Sequence, residues 1–225
     1  MSMPLVIRGV FFDLDGTLLD SAPDLYAALR ALCAEEGVTE PPYARVREVV
    51  SRGSLAILRC AFGAFDEAGV AARVPRFLAL YQGLVSTQTR PFAGVDALLA
   101  GIEACGWPWG IVTNKPGFLA DELVQRIGWS ERACTVVSGD TLAVKKPDPA
   151  PVLLACTRAG VAPAQAVFVG DDVRDIQAGR DAGLLTVAAA WGYLDGGDPQ
   201  QWGADLVLDT PAALHAWLQR TPSPA

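Results

Sequence analysis

Six strand-length apolar runs punctuate this 225-residue chain, at residues 6–14, 109–112, 134–137, 166–169, 185–190 and 206–208, and they are continuous rather than alternating. A strand that is apolar at successive positions must be covered on both faces, which is the condition of a parallel sheet. Helical spacing fills the intervals: Val95, Leu98, Leu99 and Ile102, then Leu119, Leu123 and Ile127, then Val152, Leu153 and Cys156. This alternation predicts an α/β fold with a doubly wound parallel sheet.

One interval breaks the alternation. From residue 21 to about residue 88 no strand pattern occurs, and helical spacing dominates in Leu25, Leu29 and Leu32, in Leu55, Leu58 and Phe62, and in Phe77, Leu78, Tyr81 and Leu84. Pro23 lies near the first helix start, and Gly37, Pro41, Pro42 and Gly69 supply turns between later ones. A helical insertion after the first strand is therefore expected.

The polar residues inside this framework are placed unevenly. In an open α/β sheet, ligands bind beyond the carboxyl ends of the strands. The expected ends carry Asp13 and Asp15 (in GVFFDLDGTLLDSAPD), Thr113 and Asn114, Ser138 and Asp140, and Asp171 and Asp172, and the loop VKKPDP follows the third strand. Carboxylates gathered in one crevice repel unless a cation lies among them, and hard oxygen ligands suit Mg²⁺. Helix capping could explain a single aspartate here and there, and Asp172 is the best candidate for that simpler role. A cap at Asp13 leaves Asp15 without a purpose. Lys145 is expected in solvent, whereas the pre-proline Lys146 is expected in the site, and Lys115 stays open between the two. His215, the one histidine, sits among Ala213, Leu214, Trp217 and Leu218 and reads as a surface or packing residue.

Charge and cysteine usage narrow the partners. The formal net charge is −7 and no Lys/Arg block occurs, so neither a nucleic-acid surface nor an anionic-membrane surface is expected. Any anionic ligand must be held by a local positive group. The five cysteines are scattered without a CxxC pair, which suits reduced thiols. No apolar stretch reaches the roughly 18 residues of a membrane span, and the start PLVIRGVFF lacks a basic region or cleavage site. A cytoplasmic protein, monomeric or homodimeric, is expected, with a frayed carboxyl terminus at RTPSPA.

Four stretches, FFDLDGT, VTNK, KKPDP and FVGDDVRD, occur in this order and together resemble the motifs of the haloacid dehalogenase-like phosphohydrolases. The resemblance implies a Rossmann-like core of residues 1–16 and 90–225 with an α-helical cap at residues 17–89. It implies that Asp13 is the nucleophile and Asp15 the general acid/base. Thr113 and Asn114 would bind the phosphoryl group, and Lys146 would stabilise its charge. Mg²⁺ would be held by the Asp13 carboxylate, the Asp15 carbonyl and Asp171, with Asp172 and Asp175 in support. The residue types agree with that chemistry. An aspartate, with an ordinary pKa of about 3.9, is ionised at neutral pH and needs no base to attack phosphorus. Its neighbour can protonate the leaving oxygen and then activate water, a role worth roughly 10²- to 10⁴-fold. The absence of GxxxxGK[ST] and GxGxxG leaves nucleotide P-loop and dinucleotide folds without support.

The substrate expected is a small phosphate monoester. TRPFAGV, GRDAGLLTV and WGYLDGGDPQQWGADLVLD resemble the phosphoglycolate phosphatase group, and WPWGIVTNKP, GDDVRDIQAGRDAG and QQWGAD are similar to bacterial N-acetylmuramic acid 6-phosphate phosphatases of peptidoglycan recycling. The muramic acid ester is the leading expectation, with 2-phosphoglycolate second and a sugar phosphomutase as the third reading. Asp15 argues against dehalogenation, since the dehalogenases of the family lack this second aspartate. In the insertion, Ser51, Arg52, Gly53 and Ser54 of VVSRGSLAIL interrupt two apolar helical segments. Arg52, Gly53 and Ser54 are expected to read the substrate, with the Arg52 guanidinium pairing to its carboxylate.

Overall fold

A computed structural model describes residues 6–220, so the first residues of PLVIRGVFF and the last of RTPSPA lie outside the described part. Among the described residues eight strands form, β1 (Gly9–Phe12), β2 (Leu19–Asp20), β3 (Arg90–Pro91), β4 (Trp109–Val112), β5 (Val136–Val137), β6 (Ala166–Gly170), β7 (Leu185–Ala189) and β8 (Leu206–Leu208). Ten α-helices accompany them: α1 (Ala22–Glu36), α2 (Tyr43–Glu48), α3 (Ser54–Phe62), α4 (Glu67–Ala72), α5 (Val74–Gln82), α6 (Val95–Ala104), α7 (Gly117–Ile127), α8 (Ala150–Ala159), α9 (Val173–Asp181) and α10 (Pro211–Leu218).

Six strands make one parallel sheet in the order β5-β4-β1-β6-β7-β8. Successive side chains of a strand point to opposite faces. Val10 and Phe12 of β1, with Val167 and Val169 of β6, join one apolar cluster, while Phe11 and Phe168 join another. The first cluster takes in Leu98 of α6, Leu123 of α7 and Leu214 of α10, and the second takes in Val152 and Ala155 of α8 and Ala178 of α9. The sheet is thus covered on both faces, which is why its strands read as unbroken apolar runs.

The expected run at residues 6–14 narrows to Gly9–Phe12, and the run at residues 134–137 narrows to Val136–Val137. Those flanking residues are still tied to the sheet: Arg8 N donates to Gln165 O at 2.7 Å and Cys134 N to Trp109 O at 2.8 Å. Leu84, expected at the end of a helical pattern, falls past the end of α5.

Between β2 and β3 lie the five helices α1 to α5, joined to the rest through this antiparallel pair. This pair, only two residues long on each side, carries no alternation readable in sequence. Beside it Asp24 is fully buried and accepts hydrogen bonds from Gln88 N (2.8 Å), Thr89 N (2.9 Å) and Thr89 Oγ1 (2.7 Å). The outgoing and returning chains are therefore clamped together. The apolar cluster continues into the helices through Leu29, Ile57, Phe77 and Tyr81.

Candidate active site

The carboxyl ends of β1, β4 and β6 bring Asp13, Thr113 and Asp171 to one place. The backbone fixes two of them first: Asp13 N donates to Val169 O at 2.9 Å, and Thr113 N donates to Val137 O at 2.8 Å. The chain then leaves β1 through Gly16, whose φ of +88° lies in the left-handed region. A Cβ at Gly16 would fall 2.1 Å from Asp171 Oδ2, so only glycine allows this loop to close on the neighbouring strand end.

Lys146 stands between two carboxylates. Its Nζ lies 2.8 Å from Asp13 Oδ1 and 2.7 Å from Asp175 Oδ1, and its side chain is 2% exposed. Burial opposes the Lys146 charge, but the Asp13 and Asp175 carboxylates more than offset it and hold the ammonium above its ordinary pKa. Asn114 positions this lysine from behind: its Nδ2 donates to Lys146 O at 2.9 Å and its Oδ1 accepts Lys146 N at 3.0 Å. The expected phosphate neighbour thus has its oxygen and one N–H engaged with the Lys146 backbone.

Asp171 is fully buried and accepts from Thr17 Oγ1 (2.9 Å), Ser51 Oγ (2.9 Å) and Tyr193 N (3.0 Å). Burial, with the Asp13 charge adding to it, pushes its pKa up to about 7 despite those three donors. Oxygens of Asp13, Asp171 and Asp175 all lie within 4.8 Å of one another. Asp13 Oδ1 is buried without an aligned hydrogen bond, although Lys146 Nζ is within ion-pair distance. Mutually repelling buried carboxylates with an all-oxygen donor set fit a hard divalent cation such as Mg²⁺.

Asp172 is the N-cap of α9, in a capping box with Asp175: its side chain accepts Arg174 N at 2.9 Å, and Asp175 Oδ2 accepts Asp172 N at 3.1 Å. It also accepts from the Arg174 guanidinium at 2.8 and 2.9 Å. Burial works against the Asp172 charge, but Arg174 holds its pKa below the usual carboxylate range. The simpler helix-starting role therefore accounts for Asp172.

These groups open into a cavity of about 420 Å³ whose other wall comes from the helices. Gly53 (φ 80°, ψ −172°) adopts backbone that favours glycine and starts α3, so residues 50–53 turn toward the strand ends. There Ser51 O accepts Arg174 Nη2 at 2.7 Å, Ser51 Oγ reaches Asp171, and Arg52 pairs with Asp195. Arg52, Gly53 and Ser54 do line the cavity. The structure nonetheless gives the Arg52 guanidinium a carboxylate partner within the chain, which sequence reading did not supply.

Asp15 and Lys115 complete the wall. Lys115 Nζ lies 3.1 Å from both Asp15 oxygens, and Ser21 Oγ donates to Asp15 Oδ1 at 2.5 Å. Lys115, open between site and solvent in sequence, is buried in the site. Tyr81 and Arg174 were missed as site residues, and Ser51 was read only as part of the interruption in VVSRGSLAIL; Arg174 stood in the motif FVGDDVRD, while Tyr81 stood only in a helical pattern that signals core packing.

Residues 10–189 match the family model described as haloacid dehalogenase-like hydrolase. A protein of Xanthomonas campestris pv. campestris named phosphoglycolate phosphatase is 49% identical over 94% of this chain and 98% of that protein. One of Pseudomonas aeruginosa named N-acetylmuramic acid 6-phosphate phosphatase is 44% identical over 95% of this chain and 96% of that protein. The crystal structure of a predicted phosphoglycolate phosphatase from Haemophilus somnus superposes with a TM-score of 0.85 at 25% identity, covering 95% of this chain and 98% of that one. With the family model matched from β1 through β7, including the strand-end carboxylates, this chain belongs to the haloacid dehalogenase-like hydrolases.

Proposed function

We propose that the protein is a phosphatase that hydrolyses a small phosphate monoester through a phosphorylated Asp13. The observation that carries this reading is the convergence of Asp13, Lys146, Asp171 and Asp175 at the strand ends, with Asp13, Lys146 and Asp175 opening on one cavity. Asp13 supplies the attacking oxygen. Lys146, 2.8 Å from it, offsets the charge that accumulates on the transferring phosphoryl oxygens. Thr113 Oγ1 accepts Lys115 N at 3.1 Å, which leaves its own hydroxyl proton to donate into the cavity. Asp15 gives a proton to the leaving oxygen and later takes one from the water that hydrolyses the acyl phosphate. Asp13, Asp171 and the Asp15 carbonyl would hold Mg²⁺, with Asp175 supporting, and the bound ion supplies charge neutralisation between the dianion and the carboxylates.

The helices α1 to α5 act as the cap, at residues 17–89, and set the substrate. The muramic acid ester is favoured because the cavity is about 420 Å³ and its helical wall is largely apolar, through Leu25, Val50, Ile57, Val74 and Leu78. That room suits a substituted sugar, within the roughly 300–1,000 Å³ usual for ligand pockets, better than a two-carbon acid. The relative named phosphoglycolate phosphatase, at 49% identity, supports 2-phosphoglycolate as the second reading. Either substrate carries a carboxylate, which Arg52 at the cavity lining can bind by exchanging its Asp195 partner.

The test is a kinetic comparison of N-acetylmuramic acid 6-phosphate, 2-phosphoglycolate and p-nitrophenyl phosphate, with wild type and Arg52→Ala. The muramic acid ester is expected to give the highest kcat/KM. Arg52→Ala should lower it by about 30-fold, roughly 2 kcal/mol, while scarcely touching the carboxylate-free ester. A preference for 2-phosphoglycolate would replace the substrate assignment, and no hydrolysis of any ester would overturn the phosphatase reading.

A further inference from the structure

Lys115 is engaged more fully than its place in a loop after β4 requires. Its backbone is held on both sides, with Lys115 N donating to Thr113 Oγ1 at 3.1 Å and Lys115 O accepting Gly139 N at 2.8 Å. Its side chain is 5% exposed, and its ammonium has three N–H groups to place. Both Asp15 oxygens lie 3.1 Å away, and Tyr81 Oη accepts at 2.9 Å. Tyr81 is fully buried on α5, among the inserted helices, and its ring lies 4.5 Å from the ammonium. A chain of contacts thus runs from the insertion, through Tyr81 and Lys115, to the carboxyl of Asp15.

A charged pair is a costly way to fill a buried wall, since burial penalises both ions and an apolar pair would pack without that penalty. Asp15, Lys115 and Tyr81 also line the same cavity as Asp13 and Thr113. We propose that Lys115, supported by Tyr81 from the insertion, is a positioning residue that aims the Asp15 carboxyl at the leaving oxygen. The inference rests on the phosphatase reading and deepens it. In the first step an Asp13 oxygen bonds to phosphorus as the bond from phosphorus to the leaving oxygen breaks. The electron pair of that bond stays on the leaving oxygen, which takes a proton that the Asp15 carboxyl has first taken up from water. The negative charge left on Asp15 then lies against the Lys115 ammonium, so the product of proton transfer is the state that this contact favours. Because Tyr81 belongs to the insertion, the alignment is complete only when the helices sit over the strand ends.

Leaving-group dependence separates this role from a structural one. An alkyl phosphate, such as whichever sugar or acid phosphate the wild type hydrolyses, must have its leaving oxygen protonated. p-Nitrophenolate is a stable anion and departs without the proton. For Lys115→Met, kcat/KM on the alkyl ester should fall by about 30-fold or more, a part of the roughly 10²- to 10⁴-fold that a positioned acid supplies, and by less than about 3-fold on p-nitrophenyl phosphate. kcat, which includes hydrolysis of the phosphoenzyme, should fall for both esters, since Asp15 serves that step as base. Tyr81→Phe deletes one oxygen and should show the same selectivity at a smaller size; it carries the comparison if Lys115→Met does not fold. Equal losses in kcat/KM on the two esters would mean that Lys115 binds phosphate or supports the fold, and would overturn the proposal while leaving the phosphatase reading intact. No loss on either ester would also overturn it. A wild-type chain inert toward every ester would remove the phosphatase reading and this proposal together.

Discussion

Replacing Lys146 with methionine keeps the length of the side chain and removes its charge, so the effect on stability follows from what the ammonium touches. Asp13 and Asp175, 2.8 and 2.7 Å from Lys146 Nζ, would face each other as buried carboxylates without that cation. Asp175 would retain the Asp172 N–H at 3.1 Å, and Asp13 Oδ1 has no aligned hydrogen bond to fall back on. Breaking a buried ion pair by deleting one partner costs about 3–5 kcal/mol. For a chain of this length that corresponds to a fall in Tm of roughly 6–20 °C. The loss should also depend on pH. Burial and the neighbouring carboxylates already push the Asp175 pKa up in the native protein, and removing Lys146 removes the cation that opposes this. The folded variant therefore holds protons that the unfolded chain would release, so its stability rises as pH falls, and the gap to wild type narrows between about pH 8 and about pH 5.5. Calorimetry of both proteins in the presence of a chelator, at the two pH values, measures this. A fall in Tm below about 2 °C at the higher pH, or a gap that widens toward acid, would refute the reasoning.

Two further outcomes follow from the carboxylate cluster. Asp171 is pushed up to about 7, so in the metal-free protein it is increasingly neutral below that pH, and a divalent ion must displace its proton. Mg²⁺ affinity measured by titration calorimetry should therefore fall by up to about tenfold per pH unit below pH 7, with proton release on binding; an affinity flat across that range would contradict the placement of the ion. Gly16→Ala sets a methyl 2.1 Å from Asp171 Oδ2 at a φ of +88°. It should destabilise the fold by about 2 kcal/mol or more in urea denaturation and weaken Mg²⁺ binding, and unchanged values of both would show that the loop is free to move.

Strands were legible because their cause is local. Trp109–Val112 and Leu206–Leu208 coincide with their apolar runs, and for the fully buried Trp109–Val112 the reason is that a strand covered on both faces leaves no polar position to blur the signal. The pairing of β2 with β3 was not legible, because two residues on each side carry no period and the pairing joins positions 72 and 70 apart, Leu19↔Pro91 and Asp20↔Arg90. The same distinction runs through the site. Asp13, Asp15, Thr113, Lys146 and Asp171 sit at strand ends or in the loops that follow, where chain order alone brings them together. Lys115 could not be decided from sequence, because its burial depends on Tyr81 of α5, and Arg52 could not be assigned its Asp195 partner, 143 positions away. Contacts between the inserted helices and the strand ends depend on how two separately patterned layers meet, and neither pattern records it.

The central claim is that Asp13 itself carries the phosphoryl group. Acid quenching during turnover of a labelled phosphate ester, followed by proteolysis and mass spectrometry, locates the modification. The account predicts a phosphoryl group on the peptide that contains Asp13, absent in Asp13→Asn together with turnover. A phosphoryl group on another residue, or undiminished turnover by Asp13→Asn, would contradict it.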